Sequence, residues 1–423
     1  MSKYILFPHP LMNLLVNKNI LIICWDFPPN SGIGGRRWAK FAKALIRNGH
    51  QIQVIKSENL SSTSNSVWTK DIDFEKIHVT EVKINWAVKW LHDYKSKLKA
   101  IKIRVAKLYL SIIERGTVFD KAIGVKTELL NKAEEIINRK KIDVVIVTGA
   151  PFNLIYYTAF LKKKFPKLKF IADYRDPWIN SVNYGMMHIN ESRRNEERRK
   201  QDFAFANIDI VTAPNKFLLE EIKASSNSKQ FPKLISVEHF YDLDDIVKLK
   251  KREIEKENIR VIYAGALYSD TDKYLSVLAA GVKQFNSNSN AKIKLDLFTD
   301  HRSNIFKDHG IDEYVRFSNN IGDKIFERLS DYDYILILLS DHNKNFKTTK
   351  YYEFLPYKIP FLYVGPMGEV ARSIQEDDIG IVVRSKGSVS EIYTSSNKTY
   401  GGFNEIESYS LQTRADQLEK LFL

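Results

Sequence analysis

A single cysteine, Cys24, occurs in 423 residues. That excludes a disulfide framework and fits a reducing compartment. Long apolar runs are missing too, since none approaches the ~18–20 residues of a spanning helix. The nine histidines are scattered with no HxH or HxxxH pair, so no metal ligand set is marked, and no GxSxG nucleophile motif occurs. The opening stretch, MSKYILFPHPLMNLLVNKN, is mildly apolar, but two prolines break it and no small-residue cleavage site follows. A signal peptide is therefore not expected. Neither a repeat of fixed period nor a low-complexity tract is found, and the expected location is the cytoplasm.

What is present is ample core material. Hydrophobic residues make up 44% and aromatics 12%, unlike a disordered chain, and 423 residues suit two domains better than one. The charge balance is basic, 65 Lys and Arg against 51 Asp and Glu for a net +14. Such an excess favours anionic partners: nucleic acid, an anionic membrane face or phosphorylated small molecules. Charge alone supports nucleic acid, and without a binding motif it is set aside.

Short apolar runs alternate with helical patterns. ILIICW (20–25), IQVI (52–55), DVVIVTG (143–149), KFIAD (169–173), IDIVTA (208–213) and LISVE (234–238) read as strands buried on both faces. RWAKFAKALIRNGH and LLNKAEEIINRKK read as helices between them. After the charged segment 242–259 the pattern restarts with RVIYAGA (260–266), KIKLDLFT (292–299), YILILL (334–339), PFLYVG (360–365) and IGIVV (379–383). The expected fold is α/β, two doubly wound Rossmann-like domains facing a cleft, with strand C-terminal ends lining it. The divisions are 1–245, a linker 246–258, 259–405, and a terminal helix 406–423.

An insertion at about 86–115 is basic and amphipathic. Trp90, Tyr94, Leu98, Ile101, Val105, Leu108 and Ile112 fall at steps of 3 and 4, within about 80° of one another on a helix. Lys97 and Arg104 border that stripe on one side, Lys95 and Lys102 on the other. From Lys89 to Arg115 there are eight basic and two acidic residues, Asp93 and Glu114, for a net +6. Such a helix either packs on its own domain or lies on an anionic membrane surface.

Four loops carry candidate chemistry. CWDFPPNSGIGGRRW (24–38) enters a helix through Gly32, Gly34 and Gly35, where bare backbone can approach an anion. Its spacing matches neither GxGxxG nor the P-loop. IADYRDPWIN (171–180) leaves a strand through two carboxylates and an arginine. Asp173 and Asp176 can bond sugar hydroxyls, Arg175 can neutralise one of them, and Trp178 can stack on a sugar face; alternatively an Asp–Arg pair pins the loop. YAGALYSDTDKYL (263–275) offers Gly265 for backbone approach and Lys273 for charge. In TTKYYEFLPYK (348–358), Lys350 and Glu353 are three apart and share a helical face. Charge-assisted hydrogen bonds contribute roughly 1.5–3 kcal/mol each, so a few of them reach micromolar affinity for a diphosphate. Glu353 can accept from two ribose hydroxyls, or simply favour the helix dipole.

In this order the four loops resemble those of GT-B glycosyltransferases, and more narrowly the bacterial family 4 type of surface polysaccharide synthesis. DFPPNSGIGGRRWAKFAKALIRNGHQIQVI, FIADYRDPW, SVEHFYD, YAGALY and KYYEFLPYKIPFLYVGP carry the resemblance, which runs from about Ile20 to Val383. It implies a nucleotide-sugar donor held by the C-terminal domain, and a glycan or lipid-linked acceptor held by the N-terminal one. Transfer would be retaining and need no metal or other cofactor. Lys350 would stabilise the departing diphosphate, Glu353 hold the ribose, and Gly265 admit the phosphates. Gly34 and Gly35 would lie by the transferred sugar or the phosphates, and Asp176 and Trp178 would shape the acceptor side. The last helix would cross back onto the N-terminal domain. Two departures stand out: Asn345 occupies a position that is glutamate in many relatives, and Leu267 and Tyr268 stand where many have an arginine. A sugar-nucleotide epimerase on the same architecture and a non-catalytic nucleotide-binding relative are the alternatives.

Overall fold

A computed structural model describes residues 17–30, 32–59, 67–91, 98–181, 184–249, 258–394 and 400–423. Residues 250–257 of the expected linker, and Asp93, Tyr94, Lys95 and Lys97 of the basic insertion, lie outside the described residues. The chain forms two compact units, Met1–Glu238 with Ala415–Leu423, and His239–Arg414.

The first unit is built on a seven-stranded sheet, all of whose pairings are parallel. Its strands are β1 (Asn19–Ile23), β2 (Gln51–Ser57), β3 (Ile77–Val82), β4 (Val144–Gly149), β5 (Lys169–Tyr174), β6 (Ile210–Ala213) and β7 (Lys233–Ser236). They run in the order β3-β2-β1-β4-β5-β6-β7. Ile20, Leu21, Ile22 and Ile23 are all buried, as continuous apolar runs covered on both faces should be. The order reverses direction between β1 and β4, and at such a switch point the loops beyond the strand ends open a crevice. Ala415–Leu423 closes back on this unit. Asn48 Nδ2 donates to Glu419 Oε1 at 2.6 Å, Gln417 Nε2 to the Ser236 carbonyl at 2.8 Å, and the Phe422 ring meets His50 edge-on at 5.7 Å.

The second unit holds a six-stranded parallel sheet in the order β10-β9-β8-β11-β12-β13. The strands are β8 (Asn258–Ala264), β9 (Lys292–Phe298), β10 (Val315–Ser318), β11 (Tyr334–Leu338), β12 (Phe361–Val364) and β13 (Gly380–Val383). Neighbouring residues serve opposite faces. Val261, Tyr263, Leu336 and Leu362 join one core, while Ile262, Ile335, Ile337 and Phe361 join the other, the period of two that pleating imposes. Here the switch point lies between β8 and β11. It brings the loop after β8, with Gly265, beside the chain that leaves β11 toward Lys350.

Among its described residues the basic insertion has two helices, Trp86–Leu91 and Lys99–Ile113. Among the described residues no helix is long and apolar enough to cross a membrane.

Candidate functional site

In the second unit, β8 ends at Ala264, whose carbonyl accepts a hydrogen bond from Lys350 Nζ. The two residues are far apart in sequence and meet because β8 and β11 are neighbours. Lys350 sits in the short helix Thr349–Phe354 that follows β11. Although the residue is exposed overall, its amine is lodged against the strand end. That loss of water pushes its pKa below the usual lysine value, and the charge of Glu353 one turn on opposes the shift. Gly265 closes the arrangement. A Cβ there would lie 2.6 Å from Tyr263 Oη and 3.4 Å from Lys350 Nζ, so any larger residue would crowd the ammonium and the loop together. Lys350, Gly265 and the half-buried Glu353 are therefore one cluster, the grouping the spacing could only hint at.

Sequence reasoning missed the tyrosines beneath these loops. Tyr263 Oη donates to the Ala266 carbonyl at 2.8 Å, and Tyr363 Oη, at the end of β12, donates to the Pro366 carbonyl at 2.7 Å. In both, a Cβ on the glycine two residues after the tyrosine would crowd the hydroxyl, at 2.6 Å for Gly265 and 2.8 Å for Gly365. The repeated Tyr-x-Gly pattern, YAG and YVG, was the available signal. Each tyrosine satisfies a loop carbonyl that would otherwise need water. Lys273, expected to offer charge here, is committed to Asp341, which also accepts from Tyr274 Oη at 2.6 Å. Of the positions departing from the resemblance, Leu267 is buried and Tyr268 exposed, while Asn345 is half-buried.

The first unit gathers the other two loops. Gly34 lies in the first turn of the helix Ile33–Arg47, and a Cβ on it would fall 1.9 Å from Arg175 Nη1. The guanidinium thus lies flat against bare backbone. Its Nε is buried and makes no hydrogen bond among the described residues. Gly35 is needed for a different approach, its Cβ position being 1.9 Å from the Asp26 carbonyl oxygen. Asp176 is half-buried, and loss of water raises its pKa while Arg175 pulls the other way. Tyr184 faces the same groups; burial first, then Asp176, pushes its hydroxyl up to about 12. The corner thus holds a carboxylate poised to be protonated more readily than usual beside a fixed cation.

Two expectations for this corner are corrected. Trp178 presents no face to a sugar. It is wholly buried, stacked on Phe152 at 5.2 Å, and donates from Nε1 to Glu197 at 2.7 Å. The proline-fixed turn after Asp176 tucks the indole inward, where its large apolar area is worth more than on the surface. Asp173 is buried as well, accepting from Trp38 Nε1 at 2.9 Å and Thr212 Oγ1 at 2.8 Å, with Arg37 Nε at 3.5 Å. It pins the end of β5 rather than reaching a ligand. Beneath the corner, buried Lys200 pairs with Glu114 at 3.0 Å and Glu197 at 3.2 Å. Buried Asp120 accepts from the Ala122, Phe152 and Asn153 amides at 2.7–3.0 Å. The helix Glu191–Phe205 that supplies Glu197 and Lys200 reads as strongly polar, so its buried charges were not legible as core.

No family model matches this sequence, and no curated protein does. Solved structures match it in fold. A glycosyltransferase from Rickettsia africae is 13% identical, with 96% of this chain and 98% of that one covered and a TM-score of 0.61. A trehalose-6-phosphate structure from E. coli bound with UDP-2-fluoro glucose is 8% identical, covers 96% and 99%, and has a TM-score of 0.59. A UDP-GlcNAc 2-epimerase from Methanocaldococcus jannaschii is 11% identical, covers 95% and 99%, and has a TM-score of 0.50. The fold is accordingly that of the GT-B glycosyltransferases, two doubly wound α/β domains in one chain.

Proposed function

We propose that the protein is a glycosyltransferase that takes its sugar from a nucleoside-diphosphate donor. The observation that carries this reading is the convergence of Lys350 Nζ, the Ala264 carbonyl and Gly265 at the second unit's switch point. A cation beside a strand end that tolerates no side chain suits a diphosphate, which needs positive charge and close backbone N–H groups. In this reading Lys350 leaves Ala264 for the diphosphate and stabilises its charge as the glycosidic bond to the donor breaks. Glu353 accepts from the ribose hydroxyls. Lys273 reaches a phosphate only by giving up Asp341. On the first unit, Gly34 and Gly35 admit donor atoms closely, Arg175 meets an anionic group, and Asp176 takes the proton of the acceptor hydroxyl. The acceptor is a glycan or lipid-linked sugar, transfer retains configuration, and Lys350 with the backbone does the work a metal does elsewhere. Likeness to a glycosyltransferase and to a structure bound with UDP-2-fluoro glucose supports the donor class.

The fold likeness to a UDP-GlcNAc 2-epimerase favours a second reading. An epimerase converts its nucleotide sugar with no acceptor present, which separates the two. The test is a thermal-shift screen against UDP, GDP, ADP, TDP and CMP, with and without EDTA. A ligand at a hundredfold over its Kd stabilises by about 2.7 kcal/mol. One nucleotide should therefore shift the wild type, insensitively to chelator, and fail to shift Lys350→Ala. No shift with any of them, from folded protein, contradicts the reading.

A further inference from the structure

The helix Lys99–Ile113 has two apolar faces, and its own unit covers one of them. Ala106 and Leu110 are buried. Turned about 140° away, at 100° per residue, the expected stripe lies open. Leu98 is 61% exposed, Ile101 60%, Val105 45%, Leu108 65% and Ile112 74%. Packing on its own domain, the alternative left open by the sequence, does not account for this stripe. Monomeric surfaces seldom expose so many aligned aliphatic side chains without a partner. The helix carries Lys99, Lys102, Arg104 and Lys107 and no acidic residue. Lys102 and Arg104 flank the stripe on its two sides, each about 40° beyond its edge. Aromatic groups adjoin it. Trp86 is exposed and packs against Tyr109 at 4.7 Å and Trp90 at 4.8 Å, with the Lys102 ammonium 5.7 Å from the Trp90 ring. Amphipathic rings of this kind favour the boundary between lipid and water.

We propose that this face docks the first unit onto an anionic lipid surface. The five aliphatic side chains enter the acyl boundary, and Lys102 and Arg104 extend to headgroup phosphates on either side. The charge chooses the occupant. A second copy of this basic helix would bring like charges together, whereas an anionic bilayer offers apolar depth and negative charge in the same geometry. Fifteen residues with four cations lie in such a surface and do not cross it.

The experiment is co-sedimentation of the full chain with phosphatidylcholine vesicles, with and without phosphatidylglycerol, at low and high salt. Binding should be about tenfold stronger to the anionic vesicles and weaken with salt. Ile101→Ser combined with Leu108→Ser, and separately Lys102→Glu combined with Arg104→Glu, should each lower it by about tenfold or more. Ile101, Arg104 and Leu108 are exposed and Lys102 is half-buried, none of them in the core, so circular dichroism should show folding unchanged. Retention of either variant equal to the wild type, or equal binding to both vesicle types, overturns the proposal. So does light scattering that shows a dimer lost in the serine variant while vesicles bind nothing, which would assign the face to a second copy. Nucleotide-dependent stabilisation should be the same in all variants, so failure here is distinct from failure of the transferase reading.

Discussion

Glu197→Gln exchanges one carboxylate oxygen for an amide nitrogen at a buried point where every neighbour is a donor. Oε2 accepts from Trp178 Nε1 at 2.7 Å, and Oε1 accepts from the Thr117 amide at 3.0 Å and Lys200 Nζ at 3.2 Å. Glutamine keeps one acceptor, so whichever way the amide turns, its NH2 meets an N–H. If the nitrogen faces Trp178, one buried indole donor loses its partner. If it faces Thr117 and Lys200, two do. A hydrogen bond to a charged acceptor is worth roughly 1.5–3 kcal/mol, and an unsatisfied buried donor adds a desolvation cost of similar size. Lys200 still has Glu114 at 3.0 Å, so the cation is not stranded and the larger penalty for an unpaired buried charge does not apply. The expected loss is about 2–4 kcal/mol, read from urea unfolding followed by tryptophan fluorescence. Trp178→Phe removes one competing donor, so the glutamine should then cost at least about 1 kcal/mol less. A well-folded Glu197→Gln protein within ~1 kcal/mol of wild type, or strict additivity with Trp178→Phe, would refute the buried network as the support of the corner.

Two further perturbations probe the same unit. Gly34→Ala places a methyl 1.9 Å from Arg175 Nη1 and should cost about 1–3 kcal/mol by overpacking; in an Arg175→Ala background the same change should cost little, and an undiminished cost there would contradict the close approach. Asp120 is raised by burial from 3.8 to about 6, so between those values the folded state binds more protons than the unfolded one. Stability from this group therefore rises as pH falls through about 6 toward 4, by up to about 3 kcal/mol. Asp120→Asn should flatten that part of the stability–pH curve, and an unchanged slope would show that the three amide donors hold the carboxylate ionised.

Most of the sheet was legible because its interior strands are apolar on both faces, a pattern that survives without tertiary knowledge. ILII of β1 and YILIL of β11 are of this kind. The two strands not anticipated, β3 and β10, are both sheet edges. IHVTEV mixes polar residues among its apolar ones and buries only its two ends, and VRFS is short and carries an arginine, as an edge partly open to water allows. The pairing of Lys350 with Gly265 required knowing that β8 and β11 are neighbours, which follows from topology and not from spacing. Trp178 shows the opposite limit. Its place beside charged residues made it look like a ligand platform, whereas its indole donor meets a carboxylate from a helix that buries Glu197, Lys200 and Gln201 along with Ala204 and Phe205.

The donor site rests on Lys350. Calorimetric titration of the nucleoside diphosphate chosen by the screen, and of the corresponding nucleoside, against wild type, Lys350→Met and Lys350→Arg tests it most directly. Loss of a charge-assisted contact of 1.5–3 kcal/mol corresponds to roughly 10- to 150-fold. Lys350→Met should weaken the diphosphate by that factor and leave the nucleoside unchanged. Because burial lowers the pKa of the amine, wild-type affinity should fall as rising pH removes its proton, and Lys350→Arg should push that fall to higher pH. Equal diphosphate affinity in wild type and Lys350→Met would contradict the account.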